Sequence, residues 1–486
     1  MRVKNYSILV VAVLALLACN YEFPEEPTPK PEDLGNLNLE KVIAIGDGFV
    51  AGVMDGSLYS KGQQHSLAAI VNAQFAVING QEFLQPDIDS ENGYNLYSQQ
   101  GGGIQGRWVY RFLNNTDETP FRILSSGDPI GAFTGDKNAL QDLAMPGLKV
   151  MDIDNASLKY DPFFERAFDA DGPGIIDQIV AKNPTFVICW LGMNDYLDYA
   201  VGGATQEYLL TPIEEFEDNY TELIEALISK TNAQVILPNL ISFRDLPYFY
   251  MRQYNFIRLS NLDKAFAQAT YNDYNVAVRA YNVGKPYNEQ RPQISFEDNG
   301  ATLYPQPLVV IDDDLPDATY PDGSPLEKYR QLTEKELALL SVTDEMVEQG
   351  WGWRIPLPAQ YYLKESAISK LESSINVFNV ILFELAEKYP DRITFVDLAQ
   401  EVKKIADTGK FDSWGQPVSD KTFYEDGVPL EGGLDMNSIF SLDGIHFNQR
   451  GNAFLANKIL HGINTNYQAK VPLANVNGYI GNVYSY

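Results

Sequence analysis

Asp443 and His446 stand three residues apart in the stretch DGIHFNQRG (443–451), in a chain that carries three histidines in all. A carboxylate at that spacing can reach the far imidazole nitrogen, fix the ring's tautomer and stabilise the imidazolium, as a general base requires. Read alone, the same two residues are equally a turn former and a helix-start residue. Asn194 follows the apolar run TFVICWLG (185–192) inside LGMNDY (191–196), where its amide can donate to a developing oxyanion. A third stretch, VIAIGDGFVAG (42–52), breaks from an apolar run into a glycine-rich turn around Gly48. Its glycine spacing is close to that of a dinucleotide-binding turn. Against that reading, Asp47 puts a carboxylate where a pyrophosphate has to lie, and SLAAIVNAQF (66–75) lacks the acid that would bind a ribose.

Regular elements have to carry these residues. Four short apolar, β-rich runs, KVIAIG (41–46), TFVICWLG (185–192), QVILPNL (234–240) and ITFVDLA (393–399), read as strands. Amphipathic stretches such as TPIEEFEDNYTELIEALISK (211–230) and AISKLESSINVFNVILFELAEKY (367–389) fall between them. The alternation predicts an α/β fold with a parallel sheet covered by helices on both faces, which places ligands at the carboxyl ends of its strands. The folded domain is expected over 39–465, with 466–486 as a tail. Residues 285–358 interrupt the rhythm with a Pro-, Asp- and Tyr-rich insertion of the cap-like kind, in which LTEKELALLS (332–341) reads as a short helix. The acidic piece IDDDLPDATYPDG (311–323) lacks the spacing and the sixth-position glycine of an EF-hand and reads as a solvated loop.

Taken in order, IGDGFVAG (45–52), AMPG (144–147), LGMNDY (191–196) and DGIHFNQRG (443–451) resemble the four conserved blocks of the SGNH or GDSL hydrolase superfamily. The similarity spans about 41–460. DGSLYSKGQQHSLAAIVNAQF (55–75), RQLTEKELALLS (330–341) and IPLPAQYYL (355–363) further resemble a group of Bacteroidetes lipoproteins within it. The resemblance implies a flavodoxin-like parallel sheet of five strands and hydrolysis of an ester bond in an acyl ester or an acetylated glycan. It implies no cofactor and no metal. By the same resemblance His446 is the base, Asp443 holds it, and the oxyanion donors are the backbone N–H groups of Gly48 and Gly147 with the amide of Asn194. Where the family carries its nucleophilic serine, this chain has Gly48. Three readings follow. The protein binds an acyl or glycan ligand without turning it over; or it hydrolyses by way of Ser57, Ser60, Ser66 or a water activated by His446; or it is a surface scaffold.

The N-terminus has the order of an export signal: Arg2 and Lys4, an apolar run over 8–17, then LLACN. That run is short for a membrane span. The cysteine after LLA resembles a lipobox, so 1–18 is expected to be a signal peptide and Cys19 a lipid anchor. The Pro/Glu-rich segment 19–38 then reads as an unpacked tether, and the bacterial cell envelope as the location, with the membrane as a partner through the anchor. Cys189 is the other cysteine, so no intramolecular disulfide is expected once Cys19 is lipidated. With 36 Lys and Arg against 65 Asp and Glu, the formal charge of −29 argues against a nucleic-acid partner.

Overall fold

A computed structural model describes residues 29–97, 103–112, 121–296, 304–412 and 416–485. The expected signal segment and Cys19 lie outside the described residues. The four β-rich runs form one parallel sheet. In chain order its elements are β1 (Val42–Gly46), α1 (Leu67–Asn79), β2 (Phe186–Trp190), α2 (Asn194–Val201), α3 (Ile213–Lys230), β3 (Gln234–Pro238), α4 (Glu365–Lys388), β4 (Ile393–Val396) and α5 (Gln449–Tyr467). The strand order is β1-β2-β3-β4, with Val42 opposite Phe186, Val187 opposite Val235 and Ile393 opposite Val235. Residues of β2 are buried throughout because the sheet is covered on both faces. Phe186 packs edge-on against Phe75 of α1 and Tyr467 of α5, whereas Cys189, three positions on and therefore on the other face, meets the Tyr220 hydroxyl of α3. On that second face Phe216 of α3 and Phe378 of α4 stack at 4.0 Å.

Four strands stand where five were expected. The segment beside β1 makes backbone bonds from Ala44 N–H to Gln141 O (2.8 Å), from Leu143 N–H to Ala44 O (2.9 Å) and from Met145 N–H to Gly46 O (2.9 Å), yet it registers as one isolated bridge at Asp142. The Asp142 carboxylate turns back to accept from the Ala144 N–H, which curls the segment, and Pro146 has no N–H to continue a ladder.

The insertion is larger than the 285–358 loop expected, because a second hydrophobic core draws on residues from Ile257 to Tyr362. LTEKELALLS is not helical. Leu337–Ala338 pairs antiparallel with Tyr362–Leu363, and the amides of Leu339 and Leu340 donate to Tyr361 and Tyr248. The physical reason lies in where the apolar side chains go: Leu332, Ala338 and Val342 enter the second core, Leu339 and Leu340 the first. A helix has one apolar stripe and cannot serve two cores from one turn. The acidic piece is also more than a solvated loop, since Asp312 is clamped by Arg330 (2.5 Å) and Lys364 (2.5 Å).

Both ends of the domain are packed. Asn36 N–H donates to Tyr467 O (2.9 Å), Lys470 N–H donates to Asp33 O (2.7 Å), and Leu37 is buried, so order begins ahead of residue 39. Residues beyond Tyr467 bury Val471, Ala474 and Val476, and Tyr484 pairs with Tyr110 of the hairpin formed by Gln105–Arg111 and Phe121–Ser126.

Candidate active site

Strand β1 ends at Gly46, and the chain turns at once into a four-residue helix, Gly48–Ala51, capped by Asp47. Asp47 is fully buried. One of its carboxylate oxygens accepts from the Phe49 N–H (3.0 Å), and the other accepts from Met193 (3.1 Å) and Asn194 (3.4 Å). It thereby ties the glycine turn to the start of α2. Burial pushes its carboxyl up to about 6 against the lowering effect of those amides and of His446. The amides a dinucleotide's phosphates would need are thus taken by the protein's own carboxylate.

Asp443 and His446 lie in the loop before α5. The Asp443 Oδ2 atom is 2.7 Å from His446 Nδ1 and also accepts from the Gly56 N–H (2.8 Å). Oδ1 accepts from the amides of Ile445 (2.8 Å) and His446 (2.9 Å) and from the Ser441 hydroxyl (2.9 Å). Burial opposes ionisation of Asp443, but the charge of His446 and these donors together hold its carboxyl below the usual carboxylate value. An ionised Asp443 takes the Nδ1–H, which leaves Nε2 as the basic nitrogen.

That nitrogen is directed at Gly48. A Cβ added to Gly48 would sit 2.9 Å from His446 Nε2 and 3.0 Å from Val53 Cγ2. The Gly48 backbone is not left-handed, so what this position demands is space and not a positive φ. His446 is 1 % exposed, with the Phe49 ring at 4.6 Å and the Tyr97 ring at 6.3 Å, the latter inclined by 28°. Among the described residues no hydroxyl is hydrogen-bonded to Nε2. The Ser60 hydroxyl donates to Asp87 (2.7 Å), the Ser66 hydroxyl caps α1 by accepting from Ala69 (3.0 Å), and Ser57 is buried in the short strand Ser57–Leu58.

Asn194 opens α2 and is 2 % exposed. Its Nδ2 donates to Asp198 (3.2 Å). Its Oδ1 is buried with no hydrogen-bond partner among the described residues. Gly147 follows Pro146 with φ 81°, and a Cβ there would meet nothing within 4 Å. Asn194 and Gly147 share a cavity of about 890 Å³ with Tyr97, Asp198, Tyr248 and Tyr361. Gly48 and His446 do not line it. The structure therefore gathers Gly48, Asp443 and His446 in one buried corner, and Asn194 and Gly147 on the adjoining cavity.

Sequence reasoning missed the groups that hold this arrangement together. Asp195 accepts from the Val150 N–H with both oxygens (3.0 and 2.9 Å) and from the Thr211 hydroxyl (2.6 Å), which binds the loop after Gly147 to α2; burial pushes its carboxyl up to about 7. Asp55, at φ 53°, accepts from Leu442 N–H (2.9 Å) while its own N–H donates to Ser441 (2.9 Å), clamping the loop that carries Asp443. The available signal was weak: Asp in DGS (55–57) marks a turn without naming its partner. Among the described residues no three His, Cys, Asp or Glu side chains group as a metal site would need.

No protein-family profile matches the chain, and no curated protein matches it. Among solved structures, Axe2, an acetylxylan esterase from Geobacillus stearothermophilus, is similar at 10% identity and a TM-score of 0.33, over 88% of this chain and 96% of that one. A catalytic mutant of Axe2 gives 10% identity and a TM-score of 0.32, over 88% and 95%. In structure, the chain is thus similar to acetylxylan esterases at low TM-score and low identity.

Proposed function

We propose that this chain is an exported lipoprotein related to the SGNH or GDSL ester hydrolases, which binds an acyl-ester or acetylated-glycan ligand and has lost turnover. One observation carries the loss: the space a serine side chain would fill at residue 48 lies 2.9 Å from His446 Nε2, so the imidazole has closed on a backbone that offers no nucleophile. Removing the serine from a related triad lowers turnover by about a millionfold. The binding half of the reading is supported by the cavity, which Asn194 and Gly147 line beside aromatic rings. In this reading Asn194 and the N–H of Gly147 receive the acyl oxygen in the cavity, and Gly48, Asp443 and His446 remain as a buried corner behind it.

Calorimetry with an acetylated oligosaccharide and with a short acyl ester tests it. Binding of at least one is expected, weakened about tenfold or more by Asn194→Ala, because a polar group left without its partner costs about 1–3 kcal/mol. The wild type should show neither hydrolysis nor an adduct with a serine-directed phosphonate. Phosphonate labelling, or hydrolysis that survives Gly48→Ala and vanishes on mutating Ser57, would instead support a relocated nucleophile.

The same proposal places residues 1–18 as the signal peptide, Cys19 as the anchor and the cell envelope as the site of action. Cys19→Ser is expected to move the protein from the membrane fraction to the soluble fraction, since the acyl chains supply the attachment. Retention of that variant after a high-salt wash would rule the anchor out.

A further inference from the structure

Among the described residues, one side chain both lines the cavity and lies against the His446 ring. Tyr97 lines the cavity and lies over the His446 ring at 6.3 Å and 28°. Its position is built in by backbone contacts. The Tyr97 N–H donates to Asn95 Oδ1 (3.0 Å), Asn95 Nδ2 donates to Gly106 O (3.1 Å), and Tyr94–Asn95 pairs with Ser57–Leu58. Leu96 N–H donates to Gly56 O (2.9 Å), and the N–H of that same Gly56 donates to Asp443. One peptide segment thus sets Tyr97 and the Asp443–His446 pair relative to each other.

We infer that Tyr97 is a specificity-determining residue that seals the His446–Gly48 corner from the cavity, so that a ligand held at Asn194 and Gly147 never touches the imidazole. Three facts meet in this assignment: His446 is 1 % exposed, neither His446 nor Gly48 lines the cavity, and Tyr97 touches both sides. An aromatic ring laid over another excludes water while gaining stacking contact. A ligand that binds the cavity must therefore either accept the outer chamber alone or displace the Tyr97 ring from His446. The importance of the seal rests on the ligand-binding reading above, but its existence is testable without any ligand.

The test is the rate at which diethyl pyrocarbonate modifies each histidine of the intact chain, read by peptide mass spectrometry. His461 is exposed and serves as the fast reference; His65 is half-buried, bonded through Nδ1 to Lys61 O (2.9 Å), and reports on folding. In the wild type His446 should react at least about tenfold more slowly than His461, and Tyr97→Ala should speed it by about tenfold or more with His65 unchanged, because reactivity then follows access and not local unfolding. Tyr97→Phe, which keeps the ring, should stay slow, and Tyr94→Ala, on the same cavity wall, should leave His446 protected. Should Tyr97→Ala raise the His65 rate as well, Tyr97→Val takes its place under the same tenfold criterion. A His446 that reacts as fast as His461 in the wild type, or one that stays protected in a folded variant lacking the ring, overturns the assignment. Ligand calorimetry failing while these rates behave as stated would count against the binding reading and leave the seal standing.

Discussion

Gly48→Ser combined with Tyr97→Ala is expected to hydrolyse a short acyl ester at least about a hundredfold faster than the wild type, with each single variant near background, since a restored nucleophile is worth far more than that when the rest of a triad is in place. The serine alone fails for a spatial reason. Its Cβ would sit 2.9 Å from His446 Nε2 and its hydroxyl would reach further still, so the imidazole has to retreat. Asp443 holds the ring at Nδ1 and Phe49 lies 4.6 Å away, which leaves the Tyr97 side as the way out. Deleting the Tyr97 ring opens that side and admits the ester in the same step. The Gly48 backbone itself accepts a serine without strain, because its φ is not positive. A 2 × 2 comparison of initial rates, with circular dichroism to verify folding, decides the matter. Full turnover in Gly48→Ser alone shows that the seal does not limit access; none in the folded double variant refutes the ester-hydrolase ancestry of the site.

Arg330→Ala is expected to destabilise the insertion by about 3–5 kcal/mol, the cost of leaving buried charges without their partner. The guanidinium spans Asp312 through Nε (2.5 Å) and Glu336 through both terminal nitrogens (2.7 and 2.6 Å), with all three side chains nearly buried. Lys364 adds a second contact to Asp312 (2.5 Å) at the point where the chain leaves the insertion for α4. Hydrogen exchange followed by peptide should show faster opening in 304–362, with β1 and β2 unchanged, because the two cores are separate clusters. Arg330→Lys should recover part of the loss, since it restores the charge without the forked geometry. A change below about 1 kcal/mol in Arg330→Ala would place this network among ordinary surface pairs.

The four strands were legible because each is a run of β-branched and apolar residues with no polar alternation, the pattern of a sheet buried on both faces. The edge segment at 141–145 was not, because Asp142 and Pro146 remove the pattern while the backbone still hydrogen-bonds to β1. LTEKELALLS misled because its leucines have helical density but two destinations. Within the site, the three-residue spacing of Asp443 and His446 brings them within reach by local geometry, and the structure has them 2.7 Å apart. Asp47, Asp55, Asp195 and Tyr97 act through partners that only the fold brings near: Asp55 meets Leu442 387 residues away, and Asp195 meets Val150 45 residues away. Acidic residues and a tyrosine carry no mark of burial in a chain with 65 acids and 29 tyrosines.

The pairing of Tyr484 with Tyr110 sets a temporal order on the protein's making. The hairpin strand that receives Tyr484 begins at Gln105, next to Ile104 on the cavity wall, and Tyr484 is synthesised long after the Tyr110 it pairs with. Gly56 likewise waits for Asp443, 387 residues later, to receive its N–H. Contacts of such sequence separation form late, after loop closure has been met by other structure. A ribosome-bound chain therefore carries β1 and its glycine turn before the Tyr484–Tyr110 pairing and the Gly56–Asp443 bond can form.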